Sequence, residues 1–289
     1  MCKYYLISTE HLENGLWFRD KEDYAVAMNF VAIQAVATKV FVLAFILMSN
    51  HVHFVVKGSH EAVLAFINGF KKRYSQYYCR QYGVRGFLRY NEVDIKDVPV
   101  VDEALERAIA YVQMNPVAAN ICSHPGQYPW GTGNIFFDAI HASGRPVRNF
   151  SARELKRVLH SDAEFIPGDW QIGPEGFILP RCYVDVDAVE GIFHSPSRMN
   201  YFLNTSSKAR KRLESNETQL PSFRDQVILA AVPDLCRSLF GKDCFAQLSE
   251  DEQTEFMRQI RFRFSASPNQ IARICGVSYE DAARILDRA

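Results

Sequence analysis

The chain has 289 residues, 48% of them hydrophobic, with 33 basic and 33 acidic side chains. Its length exceeds one typical domain and leaves room for a substantial core, while the cancelled charge argues against a polyanion-binding role resting on net charge, so any nucleic-acid surface must be a local concentration. Seven cysteines are scattered, none two residues from another, which argues against a disulfide scaffold or a cysteine zinc site and predicts reduced thiols in a cytoplasmic protein.

In chain order, Lys3–Thr9 reads as a strand and residues 21–38 as a helix with acids at its start, where they suit the helix dipole. Residues 39–48, "KVFVLAFILM", form a nearly continuous apolar strand, Ser49 and Asn50 a turn, and residues 51–58, "HVHFVVKG", a second strand. A helix over 61–82 ends at Gly83, residues 85–98 read as extended, and residues 102–115 as a helix running up to Pro116. This βαββαβ order with one added helix predicts an α+β fold: a ferredoxin-like antiparallel sheet with helices on one face. Residues 138–222 mix short helical pieces with Gly/Pro breaks and read as a connector, within which Lys208, Arg210, Lys211 and Arg212 lie in a polar run. From residue 223 to 289 the pattern is helical throughout. No apolar run approaches the roughly 20 residues needed to span a bilayer, and the first residues read without the charged and apolar regions of a signal peptide.

Three constellations carry chemistry. His51 and His53 alternate with Val52 and Phe54, so both imidazoles take one face of a strand. They can hold a metal ion or simply be polar residues on a solvated face. From Ala62 to Asn91 there is no acidic residue, whereas Lys71, Lys72, Arg73, Arg80, Arg85 and Arg89 are interleaved with aromatic residues including Tyr77. Cations there can follow a phosphodiester backbone while rings stack on unpaired bases. Phe66, Phe70 and Tyr74, at a spacing of four, are expected in the core. Tyr111 and Asn115 lie one turn apart on a helix that Pro116 should end at Asn115. A tyrosine can attack phosphorus, but with a free pKa near ~10 it needs help, which a divalent ion polarising the phosphate supplies.

"LMSNHVHFVV" resembles the His-hydrophobic-His strand of the single-tyrosine HUH transposases of bacterial insertion sequences and of the REP-associated tyrosine transposases, and "YVQMNPVAA" resembles their Tyr-Ile-x-x-Asn-Pro-Val helix. "LWFRDKEDY" and "YPWGTGNIFF" sit where that family has comparable segments, so the resemblance covers about residues 3 to 137 and defines a domain of residues 1–137. The resemblance implies that His51 and His53 bind Mg²⁺ or Mn²⁺ with Asn115 as third ligand. It implies that Tyr111 is the nucleophile that cuts single-stranded or hairpin DNA, leaving a 5′-phosphotyrosine link and a 3′-hydroxyl, and that the protein is a transposase and endonuclease, possible as a homodimer and without a membrane role. "NPVAAN" departs from the family, which commonly has an arginine and a glycine after Asn-Pro-Val, where this chain has Ala118 and Asn120.

A second module follows at about 268–287. Gln270 opens a short helix with Ile271, Ala272 and Ile274 on its apolar face, Gly276 permits a left-handed turn, and Ser278 caps a second helix through Ala282, Ile285 and Leu286. This form resembles a helix-turn-helix, which would bring Tyr279, Glu280 and Asp281 nearest the bases and Arg273, Arg284 and Arg288 to phosphates. Two alternatives stay open: a non-catalytic, domesticated DNA-binding regulator using this module, and a zinc hydrolase in which Tyr111 is structural.

Overall fold

The computed structural model describes residues 2–12, 15–119, 121–138, 142–162, 165–206, 225–264 and 266–287. Arg288, Lys208, Arg210, Lys211, Arg212 and Asn120 lie outside the described residues, as does the side chain of Leu286.

Four strands, β1 (Lys3–Thr9), β2 (Phe41–Met48), β3 (His51–Gly58) and β4 (Val93–Val98), form one antiparallel sheet in the order β2-β3-β1-β4. Helices α1 (Lys21–Thr38) and α2 (His60–Tyr82) complete the βαββαβ frame. The Asp20 side chain caps α1 on Asp23 N and Ser59 caps α2 on Ala62 N, while Gly83, at φ 73°, ends α2 in the left-handed conformation that glycine adopts without steric cost. The α+β fold expected from the element order is the one observed.

Alternation along the strands divides the core in two. Tyr5, Ile7, Phe45, Leu47, Val52, Phe54 and Val56 pack beneath α1 and α2 together with Phe66, Phe70 and Tyr74, the three aromatics expected in the core. Tyr4, Leu6, Ile46, Met48 and Val55 take the other face. A register shift between Val42 and Ala44 places both Leu43 and Ala44 on that second face and restores the alternation from Phe45 onward.

The added helix α3 (Ala104–Gln113) packs on this second face, so the sheet is covered on both sides and not on one alone. Helix α3 stops at Gln113, and Asn115 opens a separate turn of helix, α4 (Asn115–Ala118), with Pro116 near its start, where a missing N–H costs nothing. Asn115 therefore lies just past the end of α3 and not in its last turn.

The expected connector is part of the body. Strand pair β5 (Arg145–Pro146) and β6 (Gln171–Ile172), helix α5 (Ala152–Leu159) and the buried Phe177, Ile178 and Tyr183 extend the α1/α2 core. Helices α6 (Val186–Phe193) and α7 (Pro196–Thr205) bury Val189, Phe193, Phe202 and Leu203 against the α3 side. The buried Asn29 of α1 ties this wrapping down: its Nδ2 donates to Val158 O at 3.2 Å and Gly176 O at 3.0 Å, and its Oδ1 accepts from Ile178 N at 2.9 Å.

The last module has its own core of Ile228, Cys236, Phe256, Ile260, Ile271, Cys275 and Ala282, drawn from α8 (Asp225–Phe240), α9 (Glu250–Phe264), α10 (Pro268–Cys275) and α11 (Tyr279–Asp287). Helix α10 opens at Pro268, two residues before Gln270, because Ser267 and Gln270 form a reciprocal capping box around it. Gly276 at φ 68° makes the turn into α11, and Ser278 Oγ accepts from Asp281 N at 3.0 Å. Among the described residues no two cysteines are joined in a disulfide. Among the described residues no helix is long and apolar enough to cross a membrane.

Candidate functional site

The turn between β2 and β3 aims the histidine pair. Leu12 N and Trp17 N donate to the Asn50 and Ser49 carbonyls at 2.9 and 2.7 Å, and Asn50 Nδ2 returns a bond to Leu12 O at 3.2 Å. The remaining atom of that amide, Asn50 Oδ1, lies 2.8 Å from His51 Nδ1. Beyond the last residue pair of β1 and β3, Thr9 Oγ1 accepts from Val52 N at 2.9 Å and so continues the ladder to the start of β3. The neighbouring pair, Ser8 opposite His53, places the serine Oγ 2.8 Å from His53 Nδ1.

The Asn50 bond fixes the tautomer of His51. An amide oxygen can only accept, so His51 Nδ1 carries a proton and the lone pair of the neutral ring sits on Nε2. An oxygen partner on Nδ1 is the arrangement that holds a metal-binding histidine in orientation. The rings stand 4.9 Å apart, edge to face, and the residues are 2% and 4% exposed, which rules out the solvated-face reading of the pair.

Tyr111 reaches the same place from α3. Its ring lies 5.6 Å from that of His53 at an interplanar angle of 78°. The phenol is half-buried; desolvation raises its pKa, and the charge of Lys96 on β4 opposes that rise. Lys96 in turn pairs with Asp94 at 2.7 Å, and both are exposed.

Asn115 bonds back to the end of α3 through its amide nitrogen. Its Nδ2 donates to Tyr111 O at 2.9 Å and to Val112 O at 3.2 Å, two carbonyls of the last turn of α3. It thus holds the turn that carries Tyr111, and only its Oδ1 could serve a cation. Among the described residues, no three His, Cys, Asp or Glu side chains are grouped to hold a metal. A metal here would have two imidazoles, that amide oxygen and ligands from substrate.

The carboxylate-free segment resolves into different environments. Tyr77 is buried and its hydroxyl donates to Asp23 Oδ1 at 3.0 Å, so it offers no face to a base, contrary to the expectation. Lys71 is half-buried and bonded to Asn91 O, and burial lowers its pKa. Lys72, Arg85 and Arg89 are exposed, with the Arg89 guanidinium 5.3 Å from the centre of the Tyr90 ring. Arg73 and Arg80 converge with Lys156, Arg157 and His160 of the wrapping segment around a cavity of about 700 Å³ between α2 and α5. Arg73 Nη1 donates to Ser161 Oγ at 2.8 Å, and Asp162, the one carboxylate among the described lining residues, is taken by Lys156 at 2.7 Å. No spacing rule links residues 73 and 80 to 156 and 157, so only the folded chain shows this cluster.

In the last module Tyr279 is exposed and Arg284 pairs with Asp281 at 2.7 Å. Arg273 is not turned outward. It grips Asp225 through Nε at 2.9 Å and Nη2 at 3.1 Å, with side-chain exposures of 13% and 6%. Sequence reasoning also missed His11, whose ring stacks on His51 at 3.7 Å, because a lone histidine in a loop has no periodic signal.

No protein-family model and no curated protein matches the chain. Among solved structures, that of a REP-associated tyrosine transposase bound to a REP hairpin aligns over 46% of this chain and 77% of that one, at 10% identity and a TM-score of 0.33. That likeness is too slight to define a family or an activity.

Proposed function

We propose that the protein is a metal-dependent DNA transposase and endonuclease of the single-tyrosine HUH type, acting on single-stranded or hairpin-ended DNA. The observation that carries this reading is the meeting of His51, His53 and Tyr111 on one face of the sheet, with the Tyr111 and His53 rings 5.6 Å apart. Nothing in core packing asks for two buried imidazoles beside a half-buried phenol, since buried polar groups are tolerated only at a cost.

On this reading His51 and His53 hold Mg²⁺ or Mn²⁺ through Nε2, with Asn115 Oδ1 as the third protein ligand. The bound ion would polarise the scissile phosphate. Tyr111 Oη attacks phosphorus in line, giving up its proton to solvent or a nearby base; the P–O3′ bond breaks, the 3′ oxygen gains a proton, and the strand stays joined to the tyrosine through its 5′ phosphate. Attack of a 3′-hydroxyl on that link reverses the step and rejoins DNA without a nucleotide cofactor. Lys96 favours the phenolate, and Asn115 keeps the end of α3 rigid. Arg80 and Arg157, at the basic cavity, and Arg85 and Arg89 contact the backbone away from the cut.

The test is incubation of the full chain with Mg²⁺ and a labelled hairpin oligonucleotide, followed by a denaturing gel. A labelled protein band is expected, lost in Tyr111→Phe with DNA binding retained. A folded, DNA-binding wild type that gives no band with either ion contradicts the proposal.

A further inference from the structure

A small polar cavity of about 240 Å³ lies beside His51, the first residue of the histidine pair, and its walls come from two modules. One wall is His11, Asn50 and His51; the other is Asp225, at the start of α8, with Gln270 and Arg273 of α10. The join is firm. Gln226 Nε2 donates to the Tyr128 hydroxyl at 2.6 Å and to the Tyr24 hydroxyl, and Tyr128 in turn donates to Leu47 O of β2 at 2.7 Å. Burial pushes both phenols above their ordinary range, so they remain neutral hydrogen-bonding groups.

The ion pair on this wall is expensive. Taking a guanidinium and a carboxylate out of water carries a large desolvation penalty, which their attraction offsets only with good geometry, and apolar residues of similar size would often pack as well or better. The geometry here is good: Asp225 takes the Nε–Nη2 edge and also accepts from Gln270 Nε2 at 3.2 Å, so the plane of the guanidinium is fixed. A guanidinium held in a fixed plane on the wall that faces His51 is suited to an oxyanion.

We propose that Arg273 is the phosphate-binding cation of the His51–His53–Tyr111 site, with Asp225 as its positioning residue. The helical module then completes the site, and Arg273 serves the strand being cut and not a duplex read by α11. Its guanidinium takes a non-bridging oxygen of the phosphodiester and stabilises the charge that builds there during attack. The inference rests on the reading of the site as one that handles phosphodiesters.

The test uses the full chain and two probes: inorganic phosphate, followed through the ring C–H resonances of His51, and the labelled hairpin of the adduct assay. Because Arg273→Ala would strand a buried carboxylate, the main variant is the double change Asp225→Asn with Arg273→Gln, which removes both charges together. Expected are a loss of phosphate affinity of about tenfold or more and a fall in adduct rate of about a hundredfold, larger than the accompanying loss of hairpin affinity. Arg273→Lys, which keeps the ion pair but not the planar fork, serves if the double variant does not fold; it should lose most of the rate as well. A folded variant with wild-type phosphate affinity and wild-type adduct rate overturns the proposal and leaves the transposase reading intact. Arg273-dependent phosphate binding in a wild type that forms no adduct leaves the phosphate site standing and removes the transposase reading.

Discussion

The ring of Tyr111, carried by α3, meets the ring of His53, carried by β3, edge to face at 5.6 Å. Burial holds the phenol above its ordinary pKa and Lys96 draws it down. At neutral pH the hydroxyl is therefore protonated, and the reactive fraction grows with pH. Adduct formation at saturating metal should rise with pH through the neutral range, and Lys96→Gln should lower the rate at every pH below the plateau. Single-turnover rates from pH 6 to 9 check this; a rate flat in both proteins contradicts a tyrosine whose ionisation limits the step.

Ser8 Oγ sits 2.8 Å from His53 Nδ1 and orients the ring. Ser8→Ala should weaken Mn²⁺ binding by about 10-fold or more while leaving the melting temperature nearly unchanged, since outer partners of metal-binding histidines act at that scale. Titration followed by electron paramagnetic resonance reads the affinity, and an unchanged constant counts against His53 as a ligand.

Asp23 lies in the α1/α2 core, where it accepts from Arg19 N at 2.8 Å and from the Tyr77 and Tyr82 hydroxyls at 3.0 Å each. Desolvation dominates over these bonds and raises its pKa to about 6. Between its ordinary carboxylate range and that value the folded state holds more protons than the unfolded one, so Asp23 favours folding at low pH and this contribution is lost as pH rises through about 6. The loss is on the order of 2–3 kcal/mol. Urea unfolding at pH 4.5 and 7 should show it, and Asp23→Asn should remove this part of the pH dependence.

Asn29 spends its amide on three backbone groups of the wrapping segment. Asn29→Ala should destabilise the fold by about 2–4 kcal/mol, because a buried N–H and two part-buried carbonyls are left without partners. A change under about 0.5 kcal/mol, the scale of an ordinary surface substitution, would mean the segment is not held as described.

Arg80 and Arg157 face one cavity although they are far apart in sequence. On the proposed reading, replacing both with Gln should weaken hairpin binding at low salt and lower the slope of log affinity against log salt by about one to two, each lost phosphate contact contributing nearly one. Equal slopes in variant and wild type contradict a backbone contact there.

The sheet was legible from alternation. The apolar run of β2, the "SN" turn and the period-two pattern of β3 fix which faces the residues take, and hence put His51 and His53 together on one side. The spacing of Tyr111 and Asn115 showed a shared helix end but not that the amide turns back on the helix carbonyls, which depends on where α3 stops. Tyr77 was misread because a tyrosine on a cation-rich helix looks alike whether it faces solvent or the buried carboxylate of Asp23. The pairing of Arg273 with Asp225 was hidden for another reason: the two residues lie 48 positions apart, beyond any local pattern. The core role of residues such as Phe177 and Ile178 was hidden by Gly/Pro-rich surroundings that read as loop.

The central claim is that the imidazole pair and the Tyr111 phenol serve one phosphate. Its most direct measurement is mass spectrometry of the protein after reaction with Mg²⁺ and a hairpin oligonucleotide, digested to peptides and to single nucleotides. The predicted result is a 5′-nucleotide phosphate on the peptide containing Tyr111, absent when His53 is replaced by Ala. A nucleotide on any other residue, or on Tyr111 irrespective of His53, would contradict the account.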